Sequence, residues 1–215
     1  MSLHGLLSVT IGVPNLEETA EYYTDFGLAP AAGGWFSTAD GGPQLRIVHA
    51  PTRRLVELHV AGDDPDDLGR AATNLARLGL AGQLSGAGLA TIEPVTGTRV
   101  YLDVARRLHQ DPPTATDYNG PGRFDRTNNR ALGFMRPDRV RPRKLGHVVL
   151  GSVDYRATMA FFVDGLGFKV SDRIKDVGAF MRCSTDHHNI LVLSAPVNFL
   201  HHKDPAGNFS EYFGH

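Results

Sequence analysis

Two segments of this 215-residue chain repeat one another, and the residues that differ between the copies are the ones able to do chemistry. Residues 7–25 read LSVTIGVPNLEETAEYYTD and residues 145–164 read LGHVVLGSVDYRATMAFFVD. Setting the copies together places His147 where the first has Ser8. Continued through the following runs and fixed on Pro51 and Pro196, the comparison sets His202 against Glu57 and Glu211 against Tyr101. The second copy therefore puts two imidazoles and one carboxylate on three separate strands of one sheet. That donor set binds non-haem Fe(II) on one face and leaves three positions open. A residue with only a packing role tends to recur in both copies, so the asymmetry arms one half alone.

The elements that position these residues follow one grammar. A run rich in β-branched residues, 9–13 or 148–153, predicts a strand, and Asn15 or Asp154 then caps a helix. Glu18 completes a capping box with Asn15, whereas Asp154 has Ala157 at that place. Apolar residues recur at helical spacing at Leu16, Ala20 and Tyr23, and at Tyr155, Met159 and Phe162, with stops at Gly27 and Gly165. Runs 44–50 and 189–195 are further strands, each ending in Ala-Pro. In the first half a strand over 55–60 leads to Asp64 and Pro65, which open a helix with Leu68, Ala71, Ala72, Leu75 and Leu78 on its apolar side. A last strand over 98–104 alternates Val100, Leu102 and Val104.

This pattern predicts an α+β chain of three parts. Residues 1–109 form a metal-free N-terminal domain of paired strand-helix-strand modules, and residues 144–215 form a catalytic, metal-binding C-terminal domain. Between them, 110–143 carries Pro112, Pro113, Pro121, Pro137, Pro142 and seven arginines, a composition that sustains neither helix nor central strand. The second half falls short of the first. Glu57 and Tyr101 are 44 positions apart, but His202 and Glu211 only 9. A crossover between parallel strands needs about a dozen residues or more. The expectation is that a segment is lacking between 202 and 203, since a simple deletion would leave an open sheet edge.

Composition narrows the function classes. With 22 Lys and Arg against 23 Asp and Glu, the formal charge is −1, which lacks the basic footprint of nonspecific nucleic-acid binding. The lone Cys183 forms neither an intramolecular disulfide nor a thiolate zinc cage. No run of 18 apolar residues occurs, and residues 1–7 carry no basic or long apolar stretch. The reading is a cytoplasmic protein with neither membrane nor nucleic-acid partners.

LGHVVLGSVD at 145–154, FLHH at 199–202 and DPAGNFSEYF at 204–213 together resemble the metal-site segments of the two-domain type I extradiol ring-cleavage dioxygenases. These are members of the vicinal oxygen chelate (glyoxalase/bleomycin resistance/dioxygenase) superfamily, built of paired βαβββ modules. The resemblance implies that His147, His202 and Glu211 hold Fe(II), with Mn(II) suited to the same donors. It further implies that His188, just before the run leading to FLHH, acts on the oxygen side of the site. The substrates would be a small aromatic diol and O2, and the protein a homo-oligomer. The family's further acid-base histidine and tyrosine fall in the interval that is short here.

Of the adjacent His201 and His202, side chains on a strand point to opposite faces, so one reaches a metal and the other packs. His4, His49, His59, His109 and His215 receive no role. Phe180, Phe199 and Tyr212 are candidates to line a pocket, although apolar aromatics on strands are more often plain core. Two other functions suit the same modules: a glyoxalase- or epimerase-type lyase or isomerase, and a noncatalytic protein that binds an aromatic drug. The first draws ligands from both modules, and Ser8, Glu57 and Tyr101 offer one oxygen ligand between them. The second leaves the His, His, Glu set unexplained.

Overall fold

Along the first strand, Val9, Ile11 and Val13 alternate with Ser8, Thr10 and Gly12, so one face is apolar and nearly inaccessible while the other is polar. The same alternation recurs through two sheets. The structure, a computed structural model, describes residues 3–86, 88–111, 119–120, 122–124, 141–195 and 199–200. The first half contains β1 (Leu3–Val13), α1 (Leu16–Phe26), β2 (Ala29–Ala31), β3 (Trp35–Thr38), β4 (Gly42–His49), β5 (Arg54–Gly62), α2 (Pro65–Arg77), β6 (Gly82–Ser85), β7 (Gly88–Ile92) and β8 (Arg99–Val104). A minimal hairpin, β9 (Asn119–Gly120) with β10 (Arg123–Phe124), follows. The second half contains β11 (Val148–Ser152), α3 (Tyr155–Ala160), a π-helical turn (Phe161–Gly165), β12 (Lys169–Ile174), β13 (Gly178–Arg182), β14 (Ile190–Ser194) and β15 (Phe199–Leu200).

The expected caps form. Glu18 N–H donates to Asn15 Oδ1 at 3.2 Å, and Asn15 Nδ2 donates back to Glu18 Oε2 at 3.0 Å. Gly27 ends α1 at φ 105°, a backbone conformation that glycine adopts without steric cost. Asp64 caps α2 with Pro65 in its first turn, and Ala157 N–H bonds Asp154 Oδ1 at 3.0 Å to start α3. That helix is short because it widens into the π turn where the adjacent Phe161 and Phe162 both enter the core.

Strand order exposes the duplication. The eight-stranded sheet runs β2-β3-β4-β1-β5-β8-β7-β6, and the five-stranded sheet β12-β13-β14-β11-β15 repeats its first five strands in order. The pairings match as well: β1 with β4 and β11 with β14 are parallel, β1 with β5 and β11 with β15 antiparallel. Val9 faces Leu45 as Val148 faces Ile190, and Ile11 faces Leu55 as Leu150 faces Leu200. Both equivalences carry the offset that sets Ser8 against His147. Mixed sheets with few helices, arranged this way, make the described chain α+β. Among the described residues, α2 and β6 to β8 have no counterpart in the second half. The expected shortfall after His202 lies outside the described residues. No described helix is long and apolar enough to cross a membrane.

Hydrogen bonds and packing join the halves. Gln44 Oε1 accepts the buried Leu145 N–H at 2.8 Å and the Thr38 hydroxyl at 2.9 Å, while its Nε2 donates to Leu7 O at 3.1 Å. The fully buried Glu93 accepts from Val95 N, Thr96 N and Thr96 Oγ1, and across the interface from Thr158 Oγ1 at 3.1 Å. A Cβ on Gly165 would lie 2.9 Å from Leu75 Cδ2, so α2 and the π turn meet too closely for a side chain there. One apolar cluster therefore runs from Leu58 and Leu75 to Phe161 and Ile190.

Replacing Gln44 by Ala strands Leu145 N–H and two other polar groups, and is expected to cost about 1–3 kcal/mol, read from urea unfolding. A second link depends on pH. Gln110's amide and Arg143's guanidinium, at 2.8 and 2.6 Å, hold the Asp40 carboxyl below the usual carboxylate range. A depressed carboxyl adds stability that is present above about pH 4 and lost as the pH falls through its folded value. Asp40→Asn is expected to flatten the decline of the urea midpoint below about pH 4, whereas an unchanged slope would show that Asp40 adds nothing.

Candidate metal centre

His147 sits one residue before β11 and is 6% exposed. Burial, reinforced by His188 and opposed by Asp186, pushes its pKa down to about 4. The imidazole is therefore neutral near pH 7, the form in which histidine binds a metal. His188 lies on the loop between β13 and β14, with its ring centroid 4.4 Å from that of His147. Phe180 closes the far side, 5.0 Å from the His188 ring and 5.5 Å from His187. It stands beside the histidines as an apolar wall, the rarer of the two readings its sequence allowed. The Nδ1 atoms of His187 and His188 share a hydrogen bond at 3.0 Å.

What brings His147 and His188 together is Asn189, 1% exposed. Its Oδ1 accepts from Cys183 N at 2.8 Å and from Ser184 N and Oγ at 3.0 Å, folding the loop on itself. Its Nδ2 donates to Gly146 O at 3.1 Å, and its main-chain O accepts from Val148 N at 3.0 Å. One residue thus grips the chain on both sides of His147 while its own neighbour is His188. Lys144 Nζ adds an ion pair to Asp186 at 2.8 Å, tying the same two segments. Cys183 has its thiol pKa pushed up by burial and serves as packing, not as a nucleophile.

Of the three expected metal ligands, the described residues include His147, and His202 and Glu211 lie outside them. Among the described residues no three His, Cys, Asp or Glu side chains converge on a metal position. The donor that is described fits a divalent transition metal: a buried, neutral imidazole held by fixed backbone. At the equivalent place in the first half, Thr10 Oγ1 donates to Glu57 Oε2 at 3.0 Å and Arg99 stands 3.7 Å from Glu57 Oε1. That carboxylate is answered by protein groups.

The Glyoxalase/Bleomycin resistance protein/Dioxygenase superfamily matches residues 144–212. Metapyrocatechase 2 of Cupriavidus necator is 30% identical over 96 residues, which span 42% of this chain and 30% of that protein. Among solved structures, the Mn(II)-bound glyoxalase from Novosphingobium aromaticivorans aligns with TM-score 0.63 at 24% identity, over 93% of this chain and 64% of its own. BphC, a halotolerant catechol dioxygenase, aligns with TM-score 0.66 at 16% identity, over 93% of this chain and 68% of its own. At such identities the structural likeness establishes the shared vicinal oxygen chelate fold. The chain spans less than two thirds of the metapyrocatechase and glyoxalase that it matches.

Sequence reading found His147 and His188 but passed over Asn189, whose one signal is a polar residue at the head of an otherwise apolar run. It also gave His59 no role, although His59 Nδ1 donates to Asp103 Oδ2 at 2.7 Å. The period-two alternation of Glu57 and His59 along one strand, and of Tyr101 and Asp103 along another, was the available signal.

Asn189→Asp keeps the acceptor toward Cys183 and Ser184 but removes the donor to Gly146 O. The expected outcome is a loss of about 1–3 kcal/mol and disappearance of the proton-proton contact between the His147 and His188 rings by NMR. Lost stability with that contact intact would mean that Asn189 folds the loop without positioning the pair.

Proposed function

We propose that the chain cleaves a catechol-type aromatic diol with O2 in the extradiol sense, with both oxygen atoms entering the ring-opened product. The observation that carries this reading is the buried, neutral His147 packed against His188 in a half whose sequence also supplies His202 and Glu211. These three would hold Fe(II), and residues 144–215 would be the catalytic half beside a metal-free 1–109, with the connection over 110–143 and a segment lacking after His202. Bound there, a redox-active cation supplies Lewis acidity toward the diol and a path for electrons between diol and O2.

The chain's own residues do the rest. His147 is neutral, so it can donate its lone pair without first releasing a proton. His188, held beside it by Asn189, is placed to hydrogen-bond a substrate oxygen and to give or take a proton there. Phe180 gives the diol ring an apolar wall and keeps water from that side.

Anaerobic loading with Fe(II), followed by catechol and air, is expected to give a yellow ring-opened product, with Mn(II) as the parallel arm and Zn(II) inert. Turnover supported by Zn(II), or needing no metal, would overturn the assignment. His147→Ala is expected to weaken Fe(II) retention at least about tenfold in equilibrium dialysis. Full stoichiometric iron in that variant would remove His147 from the ligand set.

A further inference from the structure

A cavity of about 710 Å³ lies where the two halves meet, and His147, His188 and Phe180 are not among its walls. Sites for small molecules span about 300–1,000 Å³, so it has room for one. The first half lines it with the start of β1 and with residues 106–109, the second with Lys144, Leu145, Arg182 and Ser184. A chain of polar contacts joins these walls. His4 Nε2 donates to Ala105 O at 3.0 Å, and Gln44 links Leu7 O at 3.1 Å to Leu145 N–H at 2.8 Å. Lys144 Nζ then meets Asp186 at 2.8 Å, Ser184 Oγ donates to Asp186 Oδ2 at 3.2 Å, and Ser184 O accepts from Arg182 at 3.2 Å.

Charge around this cavity is unevenly balanced. Arg107 is held by both carboxylate oxygens of Asp63, Lys144 by Asp186, and the acid on the wall, Asp40, by Gln110 and Arg143. Arg106 and Arg182, one from each half, have no carboxylate partner among the described residues; Arg182 donates to a main-chain oxygen instead. Each guanidinium stays charged and offers a fork of N–H donors that matches a carboxylate. Leu3, Leu6, Leu108 and Leu145 also line the space, and they favour an apolar body over a small hydrated ion.

We propose that this cavity binds an aliphatic dicarboxylate, which bridges the two halves. One carboxylate pairs with Arg106, the other with Arg182, and the methylene chain lies against the leucines. A single small anion would satisfy one arginine and leave the apolar wall to water, whereas a two-ended ligand uses both cations and the surface they share. The site is separate from the candidate metal centre and stands independently of the ring-cleavage reading.

The probe is adipate, titrated into the full chain and followed by NMR of the backbone amides and by calorimetry, with hexanoate and sulfate as parallel arms. Saturable shifts are expected on both walls, at residues 106–108 and 182–185, with hexanoate and sulfate about tenfold weaker because the first has one carboxylate and the second no apolar body. Arg106→Gln and Arg182→Gln should each weaken adipate about tenfold, but hexanoate no more than about twofold, since the remaining arginine still takes its one carboxylate. Shifts on one wall alone or confined to His147 and His188, no saturation at millimolar adipate, or hexanoate or sulfate binding as tightly as adipate would each overturn the proposal, and these readouts on the unsubstituted chain need no variant to fold. Full adipate affinity in either variant would overturn it as well.

Discussion

The buried start of β11 is the constraint on which the candidate centre depends. Main-chain groups there are shut off from water and must find partners inside the protein. Leu145 N–H finds Gln44 in the first sheet, whereas Gly146 O and Val148 N–H find Asn189 in the second. His147 lies between these anchors, so its backbone is fixed from two directions before its side chain makes any contact. The first sheet thereby sets the place of a residue in the second. A buried amide at each anchor serves because it offers a donor and an acceptor at once, which neither a hydroxyl of fixed direction nor a carboxylate supplies here.

Duplication accounts for the rest of the geometry. Five strands of one sheet repeat five of the other in order, direction and register, so equivalent positions occupy equivalent places, and only the side chains differ. Position 8 carries a hydroxyl and position 147 an imidazole, on backbones that pair alike. Such a scaffold allows one copy to carry chemistry while its twin carries packing and contacts, since a change on the polar face leaves the apolar face and its core untouched.

How far the sequence discloses this depends on the range of each interaction. The caps at Asn15, Asp64 and Asp154 are local, and each forms as its neighbours dictate. Strand pairing is long-range, yet the repeat made it legible, because Pro51 and Pro196 tie the two registers together. Short edge elements such as β2 and β12 escaped notice, having burial on neither side to impose a pattern. The π turn escaped as well: Phe161 and Phe162 read as helix, and only the packed core shows that both rings turn inward. Asn189 and the His59–Asp103 pair left only faint signals, for a plainer reason. Their partners are distant in sequence or on another strand, and a polar residue in a strand looks alike whether it faces water or grips a buried backbone.

The contrast between the two polar faces then follows from how each disposes of charge. In the first half Glu57 meets Thr10 and Arg99, and Asp103 meets His59, so its carboxylates are answered by protein donors and no cation is required to balance them. In the second, a buried imidazole stands 4.4 Å from another, and burial together with mutual repulsion keeps His147 neutral. A neutral His147 keeps its lone pair without adding charge, which is the form in which an imidazole binds a divalent cation. The same framework therefore yields a first face whose carboxylates are answered from within and a second on which a buried imidazole packs against another.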